Sequence, residues 1–263
     1  MTIIRGKTVL LTGASGGIGI YIARSLAKER ATVVAVSRSE AELEKICDEI
    51  KVFGGKGISI PFDITELTQL PTLVQDINKA VGAVDIVINN AAILIVKAFV
   101  NYSFKEIQSL IETNLLAPIE LTRLLLPGML ERGTGHIVNI ASLGGKKGVV
   151  NNSVYSASKA GLIMWSDAAR QELIGTGVHI STICPGYVNA GMTINSNLSV
   201  NRLAGISTPI KVANAVIKSI KQNRGEIIVN ENLFKENLTK LIFAIGQFNP
   251  EFINKIYQLI SVN

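Results

Sequence analysis

A doubly wound α/β fold, with a parallel sheet and helices on both faces, is what this 263-residue chain predicts. Three observations carry that expectation. Short β-branched, apolar runs alternate with segments of helical period, the first such run opens into a glycine-rich loop, and no Pro/Ser-rich linker, charge run or internal repeat interrupts the series. At 48% hydrophobic content the chain can bury a large core.

Thr8 to Thr12 reads as a buried parallel strand, and it runs into Gly13-Ala14-Ser15-Gly16-Gly17-Ile18-Gly19 ahead of a helix from Ile20 to Lys28. Glycines at 13, 17 and 19 permit a tight turn, close approach of the backbone to a pyrophosphate, and close packing of helix on strand. The helix N-terminus offers the anion free N–H groups, and Ser15 adds a hydroxyl. This is a Rossmann-like nucleotide loop in its proper context. The second strand, Thr32 to Ser37, ends where such folds read the adenosine ribose, and Ser37-Arg38 stands there in place of a carboxylate. A guanidinium suits a 2′-phosphate, so NADP(H) is favoured and NAD(H) is the alternative. Ser39-x-x-Glu42 reads as a capping box that opens a helix through Glu49.

Further strands are expected at Gly57 to Pro61, Asp85 to Asn89, His136 to Ala141, His179 to Cys184 and Glu226 to Asn230. Between them, helices from about Phe104 to Met129 and from Val154 to Leu173 are apolar on more than one face. In such a sheet the ligand crevice lies at the strand C-termini, where the candidate site residues fall. Residues 1–230 are then a dinucleotide-binding catalytic domain, and 231–263 a helical extension of it. In that extension Leu238, Leu241, Ile242 and Ile245 form an apolar stripe. Asn249-Pro250 breaks it, and Phe252, Ile253, Ile256, Tyr257 and Ile260 resume it. The stripe must be covered by the protein's own body, by another subunit, by a substrate or by lipid.

The chemistry sits in Tyr155-Ser156-Ala157-Ser158-Lys159, with Ser142 thirteen residues upstream and Asn114 further back. Residues four apart share a helix face, so Tyr155 and Lys159 are neighbours. A phenol with an ordinary pKa of about 10 works near neutral pH only if its anion is stabilised, and Lys159 supplies a positive charge for that. Ser142 is placed to orient a carbonyl or hydroxyl.

Together these segments resemble the short-chain dehydrogenase/reductase family in its single-domain form, from about Arg5 to Asn230. The likeness extends to Asp63-Ile64, Asn89-Asn90-Ala91-Ala92 and Pro185-Gly186. It implies that Tyr155 transfers the proton, that Ser142 polarises the substrate oxygen, and that Lys159 binds the nicotinamide ribose and lowers the tyrosine pKa. Asn114 is implied to hold a water linking Lys159 to solvent. Asp63 and Ile64 would flank the adenine, Asn90 and Ala91 would line the groove, and Pro185, Gly186 and Val188 would face the nicotinamide. The implied activity is hydride transfer between NADP(H) and a ketone or secondary alcohol, as a carbonyl reductase or alcohol dehydrogenase. An apolar 3-oxoacyl, steroid-like or lipidic substrate suits the hydrophobic tail. The family also implies a homodimer or homotetramer through the two long helices. Three positions depart from the pattern: Ala92 replaces a glycine, Ala190 a threonine, and Gly16 a frequent basic residue.

Other classes are disfavoured. Cys47 and Cys184 have neither metal spacing nor disulfide density, so a reducing, cytoplasmic setting is expected and no metal. His136 and His179 lack ligand partners and read as structural. The net charge of +6 is scattered rather than clustered, which argues against nucleic acid, and Lys146-Lys147 is a tight basic pair beside Ser142. No signal peptide or apolar span is expected. A regulatory module with little turnover, or a membrane-surface protein held by its tail, are the rival readings. The polar stretch between Gly191 and Thr208 suits a loop that closes over substrate.

Overall fold

The computed structural model describes residues 2–193, 206–249 and 251. Seven parallel strands form one sheet: β1 (Thr8–Thr12), β2 (Thr32–Ser37), β3 (Lys56–Pro61), β4 (Ile86–Asn89), β5 (Gly135–Ile140), β6 (Val178–Pro185) and, after a two-residue pair β7 (Tyr187–Val188) and β8 (Ile206–Ser207), β9 (Glu226–Val229). Their order is β3-β2-β1-β4-β5-β6-β9, which reverses direction between β1 and β4. That switch point is where a doubly wound sheet opens a ligand crevice.

Because side chains alternate along a strand, each strand feeds two cores. Val9, Leu11, Val33 and Ala35 meet Ile22 and Leu26 of α1 (Gly17–Lys28), Leu43 and Ile50 of α2 (Glu40–Val52), and Val212 and Val216 of α7 (Pro209–Gln222). On the other face Leu10, Val34, Val87 and Ile137 meet Leu73 and Ile77 of α3 (Leu70–Val81) and Leu121 and Met129 of α5 (Ala117–Glu131). Leu162 and Ile163 of α6 (Ser153–Glu172) pack in a third cluster with Cys184 and Ile228.

Each expected strand is present, within two residues at either end. Three local expectations change. The helix after the glycine loop starts at Gly17 rather than Ile20, because the glycine turn itself completes the first helical turn. The segment expected as one helix from Phe104 divides into α4 (Phe104–Ile111), a π-helical turn at Glu112–Leu116, and α5. Only half of the Ser39/Glu42 box forms: Ser39 Oγ accepts from the Glu42 N–H at 3.4 Å, while the Glu42 carboxylate takes Lys45 at 2.7 Å. A complete box instead caps α4, between Ser103 and Glu106.

The last described helix, α8 (Leu233–Phe248), is tied to the end of β9 through Asn230. Leu238 and Leu241 point outward and Ile242 is half-buried. The side chain of Ile245, the resumed stripe at 252–260, and most of the 191–208 stretch lie outside the described residues. Among those described, no helix is long and apolar enough to cross a membrane.

Candidate active site

The glycine loop has the geometry its sequence implies. Gly13 takes φ +63°, and a Cβ there would meet the Ala91 Cα at 2.9 Å; at Gly19 a Cβ would strike the Gly13 carbonyl at 2.0 Å. Gly16 is the N-cap of α1, no side chain caps it, and no acid stands in the first turn. The uncapped N–H groups therefore fit an anion such as a pyrophosphate. Ser15 Oγ donates to Ser37 Oγ at 2.8 Å, closing the loop onto the end of β2. Arg38 is exposed, and among the described residues no acid pairs with it. Asp63 Oδ1 accepts from the Thr65 N–H and hydroxyl at 3.0 and 2.8 Å, and Ile64 beside it is half-buried.

Asn90 is a brace as well as a wall. Its Nδ2 donates to the carbonyls of Thr12 and Gly13, both at 3.0 Å, and the Asn90 and Ala91 N–H groups both reach Thr12 Oγ1, at 3.0 and 3.1 Å. Thr12 thus locks β4 to the glycine loop. Across the crevice the Gly186 N–H donates to the Val229 carbonyl at 2.9 Å, Pro185 ends β6, and Val188 is buried against the core that Ile18 borders.

At the same edge, Ser142 follows β5 and its Oγ accepts from the Gly144 N–H at 3.0 Å. Tyr155 enters from the first turn of α6, and a Cβ on Gly144 would lie 3.4 Å from Ser142 Oγ and 3.6 Å from Tyr155 Cε1. One turn on, Lys159 is buried with its Nζ 6.0 Å from the Tyr155 ring centre, donating to the Ile140 carbonyl at 2.9 Å. Burial pushes the Lys159 ammonium down to about 8, opposed by the nearby Cys184. Burial also raises the Tyr155 phenol, with a hydrogen bond to Ser142 pulling the other way. Asn114 lies in the π-helical turn, fully buried; its Oδ1 accepts from the Ile93 N–H at 2.9 Å, and its Nδ2 donates to the Ile93 carbonyl and to Ser158 Oγ. One lone pair of Oδ1 stays open. Lys146 pairs with Glu226 at 2.6 Å.

Residues 7–201 match the family described as short chain dehydrogenase. The chain belongs to that family. It is 61% identical over 263 residues to "Ketoacyl reductase HetN" of Nostoc sp., covering 100% of this chain and 92% of that protein. A "Putative ketoacyl reductase" of Streptomyces coelicolor is 36% identical over 204 residues, or 77% of this chain and 78% of that one. Among solved structures, a metagenomic short-chain oxidoreductase in complex with NADP superposes with a TM-score of 0.76 at 31% identity, covering 87% of this chain and 99% of that chain. This chain is accordingly an oxidoreductase.

Beneath the site, this short-chain dehydrogenase carries a buried polar chain with no counterpart in the sequence reading. Asn89 Nδ2 donates to Asn139 Oδ1 at 2.8 Å, Asn139 Nδ2 to Ser166 Oγ at 2.8 Å, and Ser166 Oγ to the Leu162 carbonyl at 2.6 Å. Ser166 is seven residues past Lys159, on the same face of α6. The helix is therefore pinned to β5 twice, at Asn139 and at Ile140. A third constraint is Gly145, where a Cβ would lie 2.6 Å from the Lys159 carbonyl carbon.

Proposed function

We propose that this short-chain dehydrogenase is an NADP(H)-dependent carbonyl reductase, reversible as an alcohol dehydrogenase, acting on an apolar ketone of the 3-oxoacyl or lipidic kind. The observation that carries the reading is the meeting of Ser142, Tyr155 and Lys159 at the sheet edge that also holds the uncapped start of α1. Arg38, with which no acid pairs among the described residues, favours a 2′-phosphate, and NADP is the cofactor in the solved relative. Two relatives named as ketoacyl reductases support the substrate class.

When bound, the nicotinamide supplies the hydride. Ser142 donates a hydrogen bond to the substrate oxygen and holds the carbonyl in line. Tyr155, kept protonated by burial, gives its proton to the developing alkoxide. Lys159 holds positive charge beside the phenolate so formed, and the remaining lone pair of Asn114 Oδ1 serves the return path to solvent.

The test is NADPH oxidation against 3-oxoacyl thioesters and simple ketones of short, medium and long chain. Turnover that rises with chain length is expected. Tight NADPH binding with no turnover on any of them would replace the enzyme reading by the regulatory one.

We also infer an oligomer through α4, the π-helical turn, α5 and α6, whose outward faces carry Phe104, Leu116, Leu130 and Met164. Covering them between symmetric copies removes apolar surface from water. Light scattering at micromolar concentration should return a dimer or tetramer; a single 28.2 kDa species would exclude it.

A further inference from the structure

We propose that α8 is a docking element for an anionic lipid surface. The helix is turned inside out relative to an ordinary surface helix. Its apolar side faces away from the protein, with Leu233, Phe234, Leu238 and Leu241 exposed by 70%, 75%, 41% and 57%. At about 100° per residue these four fall within an arc of roughly 140° on one side. The side that meets the body carries Lys235, Glu236 and Thr239, with half-buried Ile242 at its border. Thr239 Oγ1 accepts from Asn230 Nδ2 at 3.3 Å, Glu236 Oε1 accepts from the Asn230 N–H at 3.4 Å, and Lys235 pairs with Glu231. A surface helix normally buries its apolar stripe and shows the polar one, so the exposed arc calls for an occupant.

Area and charge choose among occupants. The four side chains expose on the order of 500 Å², short of the roughly 800 Å² per partner that a stable dimer uses, yet near the top of what single proteins leave uncovered. An interfacial helix needs only a shallow apolar face flanked by cations. Lys240 is exposed on α8, and among the described residues no acid pairs with it. Just before the helix, Lys211 of α7 donates to the main-chain carbonyl of Glu231, and among the described residues no acid pairs with it. With a net charge of +6 on the whole chain, the partner this face fits is a negatively charged bilayer.

The experiment is co-sedimentation of the full chain with vesicles of phosphatidylcholine containing phosphatidylglycerol, and with phosphatidylcholine alone. The wild type should pellet with the anionic vesicles, and Phe234→Ser/Leu241→Ser should reduce the bound fraction at least fivefold. NADPH affinity, read by nicotinamide fluorescence, should be unchanged in that variant because neither residue touches the cofactor groove. Wild-type protein that stays in the supernatant overturns the proposal, as does a double variant that pellets as well as the wild type. Two further outcomes would assign another occupant and overturn it equally. One is a double variant that loses an oligomer seen by light scattering while vesicles bind neither protein. The other is vesicle binding that appears only when residues 250–263 are removed, which would mean that the chain's own end covers the face. Vesicle binding is read without turnover, so its failure is separable from failure of the reductase reading.

Discussion

Arg38 is the residue on which cofactor choice turns. It stands one position past Ser37, whose hydroxyl accepts from Ser15, and among the described residues no acid pairs with its guanidinium. Arg38→Ala should weaken NADPH by about 1.5–3 kcal/mol, the range for hydrogen bonds to charged groups, and leave NADH nearly unchanged. Ser37→Asp should invert the preference, since a carboxylate repels the 2′-phosphate and accepts from a 2′-hydroxyl. Titrating both reduced cofactors into the three proteins checks this; equal losses for NADPH and NADH in Arg38→Ala would make the arginine a solvated loop residue. At this scale the sequence was readable because the residue types are rare for their positions. What it could not give was commitment: that Lys159 spends a hydrogen bond on Ile140, or that Thr12 Oγ1 serves both Asn90 and Ala91, depends on partners more than 18 residues away.

Among the elements, α6 carries the chemistry and its register against β5 decides where Tyr155 stands. The Asn89–Asn139–Ser166 chain sets that register in a fully buried setting. Asn139→Ala removes the close acceptor of Asn89 Nδ2 and the donor to Ser166 Oγ, and should cost about 1–3 kcal/mol of stability in urea unfolding. A change within a few tenths of a kcal/mol would show that the chain is not coupled to the fold. Strands and long helices were legible because β-branched runs and 3.6-residue periods announce them. The π-helical turn at Glu112–Leu116 was not, since Glu-Thr-Asn-Leu-Leu differs in nothing from ordinary helix composition; the turn shows itself only through the buried bonds of Asn114 to Ile93 and Ser158. The stripe on α8 was legible as a period, but a period does not say which way the stripe faces.

For the whole molecule, stability and function draw on opposite ends of the sheet. Far from the site, His136 and His179 sit side by side on β5 and β6, with ring centres 5.8 Å apart. Ser181 donates to the Arg224 carbonyl, so His136 Nε2 must donate to Ser181 Oγ, and Nδ1 is left as a buried acceptor with no partner. Burial, with His179 adding to it, lowers the His136 pKa from 6.5 to about 3. The folded pKa lies below the unfolded one, so the unfolded chain binds the extra proton between those values. Stability is therefore present above about pH 6.5 and is lost as pH falls toward 3, by about 1.4 kcal/mol per unit once well below 6.5. Urea unfolding from pH 7.5 down to 4.5 should show that slope, and His136→Gln, which keeps a donor but does not titrate, should flatten it. Equal slopes would place the acid sensitivity elsewhere.

The whole arrangement exists to bring Ser142 from β5, Tyr155 and Lys159 from α6, and the start of α1 to one edge of the sheet. If that is its purpose, removing a single phenolic oxygen should stop the chemistry and spare the binding. The decisive measurement is turnover of wild type and Tyr155→Phe on the best ketone, at NADPH saturation, beside a fluorescence titration of NADPH into both. Turnover lower by about two to three orders of magnitude with unchanged cofactor affinity is the predicted result; a variant that retains a tenth of wild-type turnover would contradict the assignment of Tyr155 as the proton donor.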